Sequence, residues 1–221
     1  LIIMKNTFLL SFLIFFSFYS FAHKHTHDDE YEVRYINESM QLNNQIQENL
    51  RNNSPWQSFL SNYPEWFTYF NEYNYKPHRA FGSPITLSNG YSSEERFLSF
   101  VNTNLNEFNI PDDIVLSRKT ENDKYINLDF TQYYNNLEII DSRLYAKLTL
   151  DSKLVAFGLD VFSDISLDVI PTISESMAIE SASENIISSI TKKSVEDNLK
   201  ILPIPFNGKY EFHLVYVVRV S

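Results

Sequence analysis

The 221-residue chain has no cysteine, only four glycines, and fewer cations than anions, with 18 Lys plus Arg against 28 Asp plus Glu. Without cysteine there is no disulfide framework, Cys-ligated zinc, iron–sulfur cluster, thiol nucleophile or lipidated N-terminal Cys. Gly82, Gly90, Gly158 and Gly208 stand at least eight residues apart, so neither G-x-G-x-x-G nor G-x-x-x-x-G-K-[ST] can occur. Nucleotide-cradling loops of those kinds are therefore excluded. A formal net charge of -10 has the wrong sign for a phosphate-backbone binder, whose affinity comes from Lys and Arg displacing counterions, so no nucleic-acid partner is expected. The length still allows one or two domains with a real core.

What is present begins with an export signal over residues 1–22. Lys5 precedes a nearly unbroken apolar run from Phe8 to Phe18, and Ser20-Phe21-Ala22 supplies the small residues of a cleavage site between Ala22 and His23. The run is shorter than the roughly 20 residues of a membrane-spanning helix, and polar sequence follows at once. A secreted or extracytoplasmic protein is expected, with no membrane segment after cleavage. Leu1-Ile2-Ile3 add nothing to such a signal, which points to Met4 as the start.

Residues 23–53 read as a polar tail followed by a weak helix, with Leu42, Ile46 and Leu50 at helical spacing. Between residues 54 and 90, Trp56, Phe59, Tyr63, Trp66, Phe67, Tyr69, Phe70, Tyr73 and Tyr75 crowd among Pro55, Pro64 and Pro77. An irregular segment packing its rings onto the following domain is expected; a carbohydrate or peptide platform is the alternative use of such rings. Ser88-Asn89-Gly90 is a turn signal.

Residues 91–168 read as a helix on an antiparallel sheet. Ser92 and Glu95 form a capping box, and Phe97, Val101, Leu105 and Phe108 make one apolar stripe that ends at Pro111. Strands follow at Ile126–Phe130, Leu144–Leu150 and Val155–Val161, the last two joined as a hairpin by Asp151-Ser152-Lys153. Residues 169–221 repeat the order. Ser174 caps a helix carrying Met177, Ala178, Ala182, Ile186 and Ile190; Ile201 and Ile204 sit on a Pro-flanked strand; and Tyr210 to Val220 alternate as one long strand. The fold class is thus α+β, two successive helix-on-antiparallel-sheet units preceded by a signal peptide and an irregular N-terminal segment. Val217-Val218-Arg219-Val220 ends the chain with nothing to blunt an apolar strand, so the natural polypeptide is expected to continue past Ser221.

Chemistry is thin. H-E-x-x-H and G-x-S-x-G are missing, His78 reads as a loop residue, and His213 is out of phase with Phe212 and Leu214 and so faces solvent. Asp160, Asp164 and Asp168 recur every four residues, a conceivable cation site but more simply solvated loop acids. After cleavage at Ala22, the amine of His23 with the imidazoles of His25 and His27 makes a weak candidate nitrogen set for Cu(II) or Ni(II), set against a plain polar leader. No catalytic and no cofactor-binding residue is assigned.

The stretch Leu128-Asp129-Phe130-Thr131-Gln132-Tyr133-Tyr134-Asn135-Asn136-Leu137-Glu138-Ile139-Ile140-Asp141-Ser142-Arg143-Leu144 resembles the core motif of the fungalysin/thermolysin propeptide (FTP) domain. Lys76-Pro77-His78-Arg79-Ala80-Phe81-Gly82 and the helix from Ser92 resemble what precedes that motif, and Leu154 to Asp160 resembles the next strand. Ile173 to Ile187, Leu199 to Pro203 and Tyr210 to Val218 are similar to a PepSY domain, which follows the FTP domain in that family. Asn136 stands where the family has Gly, and Asn tolerates the left-handed backbone that a turn requires. The resemblance implies the pro-region of a secreted fungalysin-like zinc metallopeptidase, which assists folding of the cognate catalytic domain and blocks its cleft. Zinc and the catalytic residues would then belong to that partner domain and not to this chain. A standalone secreted peptidase inhibitor or binding protein is the alternative, and an enzyme working through scattered carboxylates the third reading.

Overall fold

A computed structural model of the chain describes residues 42–87, 90–184, 193–195 and 199–220. The signal peptide with its Ala22/His23 cleavage site, the histidines His23, His25 and His27, and Ser88-Asn89 of the turn signal lie outside the described residues. The class is α+β, and no described helix is long and apolar enough to cross a membrane.

Two short helices open the described chain. α1 (Asn44–Arg51) is capped by Asn43, whose side chain accepts from the N–H groups of Gln45 and Ile46. α2 (Ser54–Asn62) is capped by Asn53 and carries Pro55 in its first turn, where a missing N–H costs nothing. The weak helix forms where expected, but of Leu42, Ile46 and Leu50 it is Leu50 that packs on the core. Leu42 and Ile46 are exposed, and the buried residue of α1 is Gln47. Its amide donates to Phe70 O at 2.9 Å and accepts from Phe70 N at 2.8 Å, closing a strand edge that an apolar side chain would leave unpaired.

The segment 54–90, expected to be irregular, supplies α2 and two strands of the main sheet, β1 (Phe67–Phe70) and β2 (Pro77–Thr86). Its rings are core: Trp56, Phe59, Trp66 and Phe70 are buried. Trp66 stacks on Phe157 at 5.4 Å, its indole N–H donates to Ser83 O, and Gly82 leaves room for it, since a Cβ there would stand 2.5 Å from the ring. α3 (Ser93–Asn104) follows with the capping box of Ser92 and Glu95 formed in both directions, then a 3-10 turn Asn106–Phe108.

The remaining strands of the sheet are β3 (Ile114–Glu121), β4 (Tyr125–Tyr134), β5 (Leu137–Glu138), β6 (Arg143–Thr149) and β7 (Lys153–Asp160). The order is β1-β2-β7-β6-β4-β3, antiparallel throughout, with β5 folded back on the end of β4. The β4–β5 turn places Asn135 and Asn136 at φ 48° and 63°, the two left-handed positions of a tight hairpin, which Asn tolerates. One face of the sheet carries α2 and α3. Phe59 and Phe100 meet Phe157, and Phe97 meets Phe130, over buried Leu128, Leu144, Ala146, Leu148, Leu154 and Leu159.

In the C-terminal part, Ser174 caps α4 (Glu175–Ser181), with Ala178 buried and Met177 exposed; Ile186 and Ile190 lie outside the described residues. β9 (Lys200–Phe206) and β10 (Lys209–Val215) form a hairpin through Asn207-Gly208. The single strand expected from Tyr210 to Val220 is two. β10 stops at Val215, and β11 (Val218–Val220) pairs with β8 (Lys193–Val195) instead. The alternation of residue types runs on across the break, which hides the change of partner. The hairpin joins the main sheet through a parallel bridge of Ile139 with Ile201, and Phe162 packs on Tyr210 at 4.9 Å and Phe212 at 5.5 Å.

Candidate functional site

α2 and α3 cover one face of the sheet, while Arg51 of α1 reaches the edge of the other at Phe67. Antiparallel register decides what that open face presents. Phe67 pairs with Phe81, Phe81 with Ala156, Ala156 with Lys147 and Lys147 with Asn127, forming one row across five strands. The neighbouring row runs Gly158, Tyr145, Asp129, Arg118, and on the β1–β2 side Tyr69 faces Arg79. Arg143 faces Asp160 in the next. Phe67, Tyr69 and Phe81 touch one another through ring centroids 5.3 and 6.0 Å apart and are 39%, 42% and 41% exposed. These partly exposed rings are the apolar part of the face.

The charged groups on this face are held in place. Asp129, buried, receives Arg118 through Nε at 3.0 Å and Nη2 at 2.8 Å on Oδ2, and Arg143 through Nε at 2.6 Å and Nη2 at 2.5 Å on Oδ1. Arg143 also stacks over Tyr145, Lys147 sits over Tyr125 and Arg51 over Phe67. Burial pushes the Tyr145 phenol above its usual range, with Arg79 and Arg143 pulling the other way. Gly158 makes room for this arrangement, because a Cβ there would run into the Tyr145 ring and the His78 carbonyl.

At the rim of the face the two parts of the chain are tied together. His78 Nδ1 lies 2.7 Å from Asp160 Oδ2, and this bond raises the imidazole pKa against the opposing effects of burial, Arg143 and Arg79. Asn71 donates to Asp160 Oδ1 at 3.3 Å and to the Tyr210 hydroxyl at 3.0 Å, carrying the link to β10. His78 is therefore a strand residue in a junction, not the loop residue expected, whereas His213 is exposed on β10 as expected.

The three aspartates spaced by four residues do not converge. Asp160 serves His78 and Asn71, Asp164 lies at φ 57° and acts on Lys76, and Asp168 accepts from Ile170 N. Among the described residues no group of three His, Asp or Glu is placed to hold a metal ion. Lys76 is a buried amine that no sequence pattern singled out, bonded to Asn109 O at 2.9 Å and Ser163 Oγ at 2.6 Å beside a cleft of about 400 Å³. Burial lowers its pKa to about 8, against the raising effect of Asp164.

Gln132, near the end of β4, repeats the device of Gln47. Its Nε2 donates to Phe162 O at 2.7 Å, and Phe162 N donates to its Oε1 at 2.7 Å, so one buried amide pairs both backbone groups of a residue 30 positions on. Gln132 thus fixes Phe162, on which Tyr210 and Phe212 of the C-terminal part rest.

No protein-family model and no curated protein matches the chain. Among solved structures, the Bacillus megaterium YpeB C-terminal domain is similar to 82% of this chain over 88% of its own, with 12% identity and a TM-score of 0.33. That degree of likeness assigns neither a family nor a function.

Proposed function

We propose that the chain acts as the pro-region of a secreted fungalysin-like zinc metallopeptidase, assisting the folding of the catalytic domain and inhibiting it. The observation that carries this reading is the open sheet face with Phe67, Tyr69 and Phe81 clustered in solvent, since an inhibitor works through a complementary surface rather than reactive groups. The resemblance of Leu128–Leu144 to the FTP motif supports it, and Gln132 and the Asn135-Asn136 turn give that motif a structural use. The similarity of the segments from Ile173 onward to a PepSY domain supports it too. In this reading the zinc belongs to the partner domain, the signal peptide sends both to an extracytoplasmic compartment, and no residue of this chain takes part in peptide hydrolysis.

The test is refolding. Denatured catalytic domain of the source organism's secreted H-E-x-x-H peptidase is diluted from denaturant with and without this chain. The reading expects a higher yield of correctly folded enzyme with the chain present, and activity held back until the chain is removed. Equal yields, together with an unchanged rate of the mature enzyme, would contradict it.

A further inference from the structure

The charge on the open sheet face is opposite to that of the molecule. Arg51, Arg79, Arg118, Arg143 and Lys147 stand there against Asp129 and Asp160, with Asp141 beside Arg118 and Arg143, an excess of positive charge on a chain whose formal net charge is -10. A partner of high negative potential is repelled by the molecule as a whole and attracted at this face, which steers its approach. The cations are also pre-oriented. Asp129 engages Nε and Nη2 of both Arg118 and Arg143 and leaves each Nη1 unspent, while the two side chains remain 66% and 52% exposed. Two guanidinium groups fixed in this way lose little further freedom when they meet a carboxylate, and their planar forks match its two oxygens.

We propose that this face docks an acidic protein surface, with carboxylates of the partner meeting Arg79, Arg143, Arg118 and Lys147 and an apolar patch meeting Phe67, Tyr69 and Phe81. This rests on the pro-region reading and names the chemistry of its partner: the peptidase catalytic domain presents Asp and Glu around an apolar centre where it meets this chain. Four of the five cations are Arg and they border an aromatic cluster, the mixture that recurs at the centre of protein interfaces. A second copy of the chain fits poorly, because face-to-face pairing would oppose like charges.

The experiment uses the full chain and the double variant Arg79→Glu/Lys147→Glu. Neither residue holds an ion pair with a described residue, so the fold should survive; Tyr69→Ser/Phe81→Ser serves as a second, uncharged variant. Inhibition of the mature peptidase is measured at low ionic strength and at about 0.3 M NaCl, where exposed charges more than several ångströms apart are screened. The inhibition constant of the charge variant should rise by about tenfold or more, with most of the wild-type salt dependence lost. The aromatic variant should weaken inhibition while keeping that salt dependence. A charge variant that inhibits like wild type, with the same response to salt, overturns the acidic-partner assignment and leaves the pro-region reading standing. Wild-type protein that never inhibits removes both. Retention on heparin that the charge variant loses, with inhibition unaltered, reassigns the face to an acidic polysaccharide, and a micromolar dimer broken by the same variant reassigns it to a second copy.

Discussion

Replacing Gln132 by Leu removes both hydrogen bonds to Phe162 at nearly constant volume. Gln132 and Phe162 are both buried, and the backbone N–H and C=O of Gln132 are engaged separately, by Ser142 Oγ and Ile139 N, and survive the change. One N–H and one C=O of Phe162 are then orphaned in the interior. Each costs about 1–3 kcal/mol, so we expect a loss of about 3 kcal/mol, a large share of the roughly 5–15 kcal/mol that holds a domain together. Urea unfolding followed by the fluorescence of buried Trp56 and Trp66 reads this as a lower midpoint with an unchanged slope. Gln132→Glu is the sharper probe. A protonated Glu can donate to Phe162 O and accept from Phe162 N, whereas a carboxylate faces a carbonyl oxygen. Its folded-state pKa is therefore raised, and stability present below the unfolded value of about 4.3 is lost as pH rises through the folded one. Near-native stability at pH 4 and a deficit at pH 7 are expected. A loss under about 1 kcal/mol for the Leu variant, or a Glu variant whose deficit ignores pH, would refute the reasoning.

Gly158→Ala forces a methyl into the Tyr145 ring and the His78 carbonyl, so a loss of about 2 kcal/mol or more is expected; an unshifted thermal midpoint would remove the close approach. Lys76 has its pKa lowered to about 8 from an ordinary 10.5, so the folded state holds fewer protons between those values and stability rises with pH across that window. The wild type should gain on Lys76→Met by up to about 3 kcal/mol between its ends, and parallel pH profiles would contradict the burial effect. His78 has its pKa raised by Asp160, so its contribution is complete below the unfolded value of about 6.5 and is lost as pH rises through the folded one. With the side chain 60% exposed the effect is about 0.5 kcal/mol or less. An imidazole resonance titrating below about 6.5 would exclude the Asp160 bond in solution.

Much of the fold was legible because its signals are local. The Ser92–Glu95 box and the Phe97 to Phe108 stripe define α3, alternation marks β4, β6 and β7, and Asp151–Lys153 closes their hairpin as expected. Other elements carry no such mark. β3 is an edge strand exposed almost along its length, so nothing alternates. β1 and β2 hold a bulge at Tyr69/Phe70 and an irregularity between Phe81 and Ile85, which break the period of two. α1 buries an amide because it closes a strand edge, and no hydrophobic pattern announces that.

The candidate face was less legible still. Tyr145, Lys147 and Arg143 alternate visibly along β6, but what they border comes from strands as distant as Phe67 and Asp160 and depends on register. His78 and Asp160 are 82 residues apart, and the same holds for the Gln132–Phe162 clasp on a shorter scale. Residue types alone favoured a loop for His78 because Pro77 precedes it; in the structure Pro77 is the first residue of β2, where Pro is tolerated in a sheet.

The most direct test of the account is a titration of the mature catalytic domain of the source organism's secreted zinc peptidase with this chain, following hydrolysis of a quenched fluorescent peptide. The account predicts that activity falls linearly to near zero at one chain per enzyme and returns when the chain is degraded. Folded chain in micromolar excess that leaves the rate untouched would contradict it.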